Sequence, residues 1–403
     1  MRIAVVNNFF PPRVGGSAHI SDALARHYAA AGHEVLVLTA GYGGGLPLER
    51  RDGITIARLP SWTLPETRLS FNFDITFALK SQNLGHVFRI LDRFRPDVIH
   101  QHGQFFDLTW QSGFWARRRG VPTVLTIHTR LESPGRATAA AFRGLDAAVV
   151  DPILRFLRPA RVIAIAEFFV EYFRDRYHFD PHRVVQIPIG IELDRFRQVE
   201  PVDVRQRFGL GSGPLALSLG HVIPLRNRMS LIEALPAVLE RHPAFKILLI
   251  GGVYSWQFLQ LANRLRVMHS LVLPGPLPKE EIPGICAGVD FEIHDLQGYG
   301  VGISTLEAMA AGTPAIVAVR EDLWGRDLPL SDGDPFVMVP VGDVPAVARQ
   351  MCRLIEDPDL RRRVGERGRR FVFDHFDMDR VSERNLEVLL EVVAEQRKTD
   401  DHR

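Results

Sequence analysis

Cysteine is nearly absent: Cys286 and Cys352 are the only two in 403 residues. Both fall in apolar helical patterns and read as buried, reduced thiols, so no disulfide framework is expected. Long hydrophobic runs are missing as well, and no segment approaches the roughly 18 apolar residues of a membrane-spanning helix. The N-terminal stretch Met1-Arg2-Ile3-Ala4-Val5-Val6 has neither a charged leader nor an apolar run of signal-peptide length, and it reads as a strand. These absences make a cytoplasmic location the expectation. An excess of charge is lacking too. A formal net charge of +2 argues against a nucleic-acid partner, which usually demands a strongly basic face. Lysine occurs only at 80, 246, 279 and 398, leaving arginine as the main cation. That imbalance reads as coding bias before it reads as phosphate chemistry.

What is present is an alternation of short apolar strands and amphipathic helices. Hydrophobic residues make up 46% and charged residues 24%, ordinary for a globular chain long enough for two domains. Ile3 to Val6 leads through Pro11, Pro12, Gly15 and Gly16 into a helix that Ser17 is expected to cap. Ile20, Leu24 and Tyr28 share one face of that helix and Gly32 ends it. Strands follow at Val35–Thr39, Val98–His100, Thr123–Thr126 and Val162–Ile165. After residue 212 the pattern restarts at Ala216–Leu219, Ile247–Ile250, Leu271–Leu273, Phe291–Ile293 and Ala315–Ala318. Such alternation predicts parallel sheets covered by helices on both faces. Two Rossmann-like domains are expected, 1–195 and 196–375, joined by a hinge at Pro188–Phe196. A last helix near 379–395, within 376–403, is expected to pack back on the first domain.

The densest signal runs from Tyr299 to Pro314. Gly300-Val301-Gly302-Ile303 follows a strand and opens a helix, where glycine lets backbone approach a ligand and free N–H groups attract an anion. Ser304 and Glu307 also have the spacing of a capping box, a purely structural role. On pattern alone the two readings weigh about equally.

From Gly300 through Pro314 the chain resembles the C-terminal signature of glycosyltransferase family 4, with Val301 where that family has Phe. Pro11-Pro12-Arg13-Val14-Gly15-Gly16 is similar to its first loop, Arg95–His102 to its D-V-[IV]-H-x-H segment, and Thr126-Ile127-His128-Thr129 to its T-x-H strand end. Arg183–Gly190 resembles the hinge. The resemblance implies an α/β GT-B fold with two Rossmann-like domains facing a central cleft. It implies a retaining glycosyltransferase using a UDP- or GDP-linked sugar donor, with a glycan, lipid or small molecule as acceptor. Glu307 would bind the ribose. The amides around Gly300, Val301, Gly302 and Ile303 would meet the phosphates, and Gly15 and Gly16 would approach them. His221 and Arg226 stand at the family's diphosphate-gripping Arg and Lys. If His221 binds phosphate as a cation, donor affinity should weaken as pH rises. His128 matches the histidine beside the donor sugar and, with Arg226 and Tyr299, completes the implied catalytic set. No metal and no cofactor besides the donor is implied.

The chain departs from the family at Tyr299, which stands where the first glutamate of the pair is expected and carries no negative charge near neutrality. Glu292 and Asp295 are the nearest acids in sequence. A binding protein with little catalysis is therefore the rival, with a GT-B epimerase or phosphorylase third. His100 and His102 read as structural polar contacts, not metal ligands. The stretch Ser61–Asn83, with Trp62, Phe71, Phe73 and Phe77, is the candidate acceptor cover. Arg117-Arg118-Arg119 suits either anionic lipid, giving a peripheral membrane contact, or plain solvation, which is commoner.

Overall fold

A computed structural model of the chain describes residues 1–13, 15–41, 47–64, 75–129, 136–222, 228–298, 300–325 and 328–401. The chain forms two compact units, Met1–Gly190 with Met378–Arg403, and Ile191–Asp377. The first boundary falls five residues before 195. Gly190 belongs to the first unit because its backbone lies against Met378, and a Cβ there would sit 2.9 Å from the Met378 Cα. Ile191 belongs to the second, where its N–H donates to the Phe376 carbonyl at 2.8 Å.

The strands of the first unit are β1 (Arg2–Val6), β2 (Glu34–Ala40), β3 (Leu48–Arg51), β4 (Ile54–Leu59), β5 (Trp62–Leu64), β6 (Ile75–Phe77), β7 (Val98–His102), β8 (Thr123–Ile127), β9 (Arg161–Ala164) and β10 (Val184–Gln186). The main sheet runs β10-β9-β8-β7-β1-β2-β4-β3, with only β3 antiparallel. Alternation along each strand feeds two cores. Ile3, Val5, Val35 and Val37 meet Leu24 and Tyr28 of the helix Gly16–Ala30 and Val381, Leu389 and Val392 of the helix Met378–Asp401. Ala4, Val6, Leu36 and Leu38 meet Val87, Leu91, Leu108 and Trp115 on the opposite face. The first helix starts at Gly16 with Gly15 as its cap, so Ser17 lies inside the first turn instead of capping it.

The second unit holds β11 (Leu215–Leu219), β12 (Lys246–Ile250), β13 (Leu271–Gly275), β14 (Phe291–Ile293), β15 (Ala315–Val317) and β16 (Val337–Met338). They form an all-parallel sheet in the order β13-β12-β11-β14-β15-β16. The inner strands β11, β12, β14 and β15 are buried almost throughout, as a sheet covered on both faces requires, whereas the edge strand β13 is partly exposed. No helix among the described residues is long and apolar enough to cross a membrane.

Candidate functional site

Both sheet orders create a point where the chain reverses its direction of travel across the sheet. In open α/β sheets a crevice opens there, beyond the carboxyl ends of the strands. In the second unit that point lies between β11 and β14. The loop after β11 carries Gly220 and His221, and the loop after β14 carries Gly298 and Gly300 to Gly302. Gly300 has φ +136, a left-handed conformation that side chains disfavour. The helix Ile303–Ala310 follows at once, with Gly302 as its cap residue.

This helix start excludes the capping box that the spacing of Ser304 and Glu307 allows. Neither residue caps, because both lie inside the helix. The Ser304 hydroxyl is 3.2 Å from His294 Nδ1. Glu307 forms an ion pair with Arg195 of the short helix Asp194–Arg197. Its carboxyl is raised from the ordinary value by burial, and Arg195 foremost, then Lys279, pull it back. Asp295 does the capping: its Oδ2 accepts from the Gly302 N–H at 2.5 Å and from the Thr305 hydroxyl at 3.0 Å. The Gly302 amide, expected to face a phosphate, is thus spent on Asp295. Ile303, as the first helical residue, keeps an N–H without an intrahelical acceptor. Glu292 is fully buried, its carboxyl pushed well up by burial and then by Asp295, with Arg228 opposing. Neither acid lies open to replace the missing family glutamate.

His221 is exposed, and its Nδ1 accepts from the Gly252 N–H at 2.8 Å. An imidazole that accepts at Nδ1 has Nε2–H as its donor. In this arrangement Nε2 is the ring nitrogen that His221 leaves for a ligand. Gly220 is braced from below by the buried Arg228, whose Nη2 donates to the Gly220 carbonyl at 3.0 Å. Across from it, Gly251 has φ +137, and a Cβ there would meet the Gly220 carbonyl oxygen at 2.4 Å. Backbone on both sides cannot yield easily. Gly251→Ala is expected to cost about 3 kcal/mol of stability and to displace the His221 turn. Denaturant midpoints and nucleotide binding measured on the same variant would show both effects; an unchanged midpoint would refute the argument.

In the first unit the reversal lies between β1 and β7. The loop after β1 leads to Gly15 and Gly16, and a side chain at Gly15 would meet open space. The end of β7 carries a chain of imidazoles. His100 lies between the Tyr28 hydroxyl at 3.1 Å and the Thr126 hydroxyl at 2.7 Å, a structural role as expected. His102 does more than that. Its Nδ1 is 2.9 Å from Nε2 of His128, and the two rings stack at 14°. His102 Nε2 is buried without a partner among the described residues. An orphaned buried N–H is rarer and costlier than an orphaned lone pair, so the proton belongs on His102 Nδ1. His128 then accepts at Nε2 and presents Nδ1–H. Burial lowers the pKa of His128 to about 4 and of His100 to about 3, and holds His102 well below its ordinary value.

Arg226 and Tyr299 lie outside the described residues, as do Phe71 and Phe73. Trp62 stacks on Phe77 at 4.9 Å across the β5–β6 hairpin. In the arginine run, Arg119 forms a two-pronged pair with Asp92 at 2.9 Å and Arg117 covers the Phe156 ring. Among the described residues one group could hold a metal, His242, Cys352 and Glu356. It lies at the contact of the helices Arg228–Arg241 and Val344–Glu356. Arg241 already supplies positive charge there, 2.7 Å from Glu356. Arg195 escaped sequence reasoning, while Asp295 was weighed only as a substitute acid and His102 only as a structural contact. Arg195 meets Glu307 across 112 residues, a separation that leaves no periodic trace.

Two Rossmann-like units, each with candidate residues beyond its strand ends, define a GT-B protein. Residues 14–195 match the family described as Glycosyltransferase Family 4, and residues 203–371 match Glycosyl transferases group 1. The chain belongs to glycosyltransferase family 4 and is a hexosyl-type transferase. It is 28% identical to the D-inositol 3-phosphate glycosyltransferase of Salinispora arenicola, covering 92% of this chain and 86% of that one. It is 30% identical to the GDP-mannose-dependent alpha-(1-6)-phosphatidylinositol monomannoside mannosyltransferase of Mycolicibacterium smegmatis, over 53% of this chain and 58% of that one. Among solved structures, Anabaena HepE in complex with UDP and glucose superposes with a TM-score of 0.72 at 18% identity, covering 97% of this chain and 100% of that one.

Proposed function

We propose that the protein is a retaining glycosyltransferase that moves a hexose from a UDP- or GDP-linked donor to a polyhydroxylated acceptor, either a small phosphorylated molecule or a lipid- or glycan-linked one. The observation that carries the reading is the placement of Glu307: one turn into the helix after the glycine loop, at the reversal point of the sheet, ion-paired instead of capping. In this reading its carboxylate accepts the two ribose hydroxyls. The amides of Val301 and Ile303, the Arg226 guanidinium and the His221 Nε2–H meet the diphosphate, whose charge grows as the sugar leaves. The Gly300 backbone and Gly15 and Gly16 allow close approach. His128 offers a neutral N–H to the sugar hydroxyls, and Tyr299 offers a hydroxyl where relatives of the family place a carboxylate. The acceptor attacks from the leaving-group face and passes its proton to the departing phosphate oxygen, which retains the anomeric configuration. The named relatives support a nucleotide-sugar donor and acceptors of the inositol phosphate or phosphatidylinositol class, and the UDP complex of HepE supports a nucleotide end of this kind. The two buried, unbridged cysteines suit a cytoplasmic site of action.

The test is acceptor-dependent release of nucleoside diphosphate from UDP- and GDP-hexoses, with the product's anomeric configuration read by NMR. Because cationic side chains and amides meet the diphosphate, turnover should persist, within about twofold, after a chelator removes divalent cations. Loss of turnover on chelation would refute the metal-free reading. Tyr299 favours one rival, a sugar-nucleotide-binding protein without transfer. Binding of a donor with no release across an acceptor panel would favour that rival.

A further inference from the structure

Arg195 is the one described residue that touches the Glu307 carboxylate by a hydrogen bond, through Nη2 to Oε1. It is held there from several sides. Its Nη1 donates to the Lys279 carbonyl at 3.2 Å. The adjoining Phe196 is fully buried, and the Phe196 carbonyl accepts from Arg369 at 2.7 Å. The short helix that carries Arg195 is therefore pinned beside the helix of Glu307. The Glu307 side chain is only 15% exposed, an environment that disfavours a carboxylate unless a cation accompanies it.

We propose that Arg195 is a positioning residue for donor binding: it grips one carboxylate oxygen of Glu307 and so presents the charged carboxylate, in a fixed orientation, to the ribose hydroxyls. The inference rests on reading Glu307 as the ribose ligand. The charged and titratable groups around Glu307 are Arg195, Lys279 and Glu192, with the buried Cys286 thiol close enough to feel its charge. Arg195 is the largest of the counter-charges. Its removal leaves burial and Glu192 to favour the protonated acid, opposed by Lys279 alone. A protonated Glu307 is a poorer acceptor for two hydroxyl donors. Donor binding should then become sensitive to acid in a range where the native protein is not.

The experiment is calorimetric binding of UDP and GDP from pH 5.5 to 9, whichever binds more tightly being carried through the series. Arg195→Met is expected to weaken binding at least tenfold at pH 6 and less than fivefold at pH 9. Arg195→Lys, which restores a cation, should recover most of the loss at pH 6. In a Glu307→Gln background the affinity should be weak, independent of pH and unaffected by Arg195→Met. If Glu307→Gln itself leaves binding unchanged, the ribose reading falls. If Glu307→Gln weakens binding but Arg195→Met does so equally at every pH, or weakens the Glu307→Gln protein further, Arg195 contacts the nucleotide or only supports the fold, and the positioning role is overturned. Melting curves of each variant identify any that fail to fold, and Arg195→Gln replaces Arg195→Met in that case.

Discussion

Glu307→Ala is expected to weaken nucleoside diphosphate binding about 100-fold while leaving the protein folded. A carboxylate accepting two ribose hydroxyls makes two charge-assisted hydrogen bonds, each worth about 1.5–3 kcal/mol. Losing both costs about 3 kcal/mol or more, a factor of 100 or above in Kd. The stability cost is smaller. Arg195 loses its ion-pair partner, but its side chain is 31% exposed and water can take the place of the carboxylate. A loss of about 1 kcal/mol in fold stability is expected. The ribose keeps the same contacts in ground and transition states, so KM for the donor should rise far more than kcat falls. Glu307→Gln should fall between, since it keeps an acceptor oxygen and loses the charge. Calorimetric Kd values and steady-state kinetics on the same preparations decide the matter. A change below threefold in Kd for Glu307→Ala would show that the carboxylate does not touch the nucleotide.

The second large effect is acid opening of the first unit. His100, His102 and His128 are held neutral by burial, with pKa values of about 3 for His100, about 4 for His128 and well below the usual range for His102. In the unfolded chain all three return to about 6.5. A histidine whose folded pKa is depressed contributes its full stability above the unfolded value. That stability is lost as pH falls from about 6.5 toward the folded values, because the unfolded chain takes up protons that the folded one refuses. Three such groups give a slope of up to about 4 kcal/mol per pH unit near pH 5. Asp107 works in the opposite direction, since burial raises its carboxyl and the folded chain binds that proton first. In the second unit the raised carboxyls of Glu292 and Glu307 have that same opposing sign. Acidification from pH 7 to pH 5 should therefore strip hydrogen-exchange protection from β7 and β8 well before β12 and β14. His102→Phe should lower the slope by about a third. Equal loss of protection in both units, or an unchanged slope in His102→Phe, would refute the account.

Much of the architecture was legible along the chain. Each strand read from apolar runs coincides with a strand, because a parallel sheet covered on both faces demands consecutive buried residues. The edge strands β3, Val184–Gln186 and the two-residue β16 were not read, because they carry short or mixed patterns that resemble loops, and the inner strand β4 was missed as well. Ser17 was misplaced as a cap because a glycine can serve as well, and Gly15 does. Gly300 to Glu307 stood out as a phosphate- and ribose-binding segment through its motif, yet the motif was equally a capping box. Only the starting point of the helix, at Ile303, removed Glu307 from the capping position.

What the sequence determined by itself was local: the period of each element, the glycines that a loop requires, and the order of motifs that marks glycosyltransferase family 4. What the tertiary structure decided was which charges meet. Arg195 reaches Glu307, Asp295 takes the Gly302 amide, and His102 sets the proton on His128. The first and last of these pairs join residues 112 and 26 positions apart. Hydrophobic periodicity records which face of an element is buried, but a hydrogen bond between two elements depends on their packing and leaves no period in either.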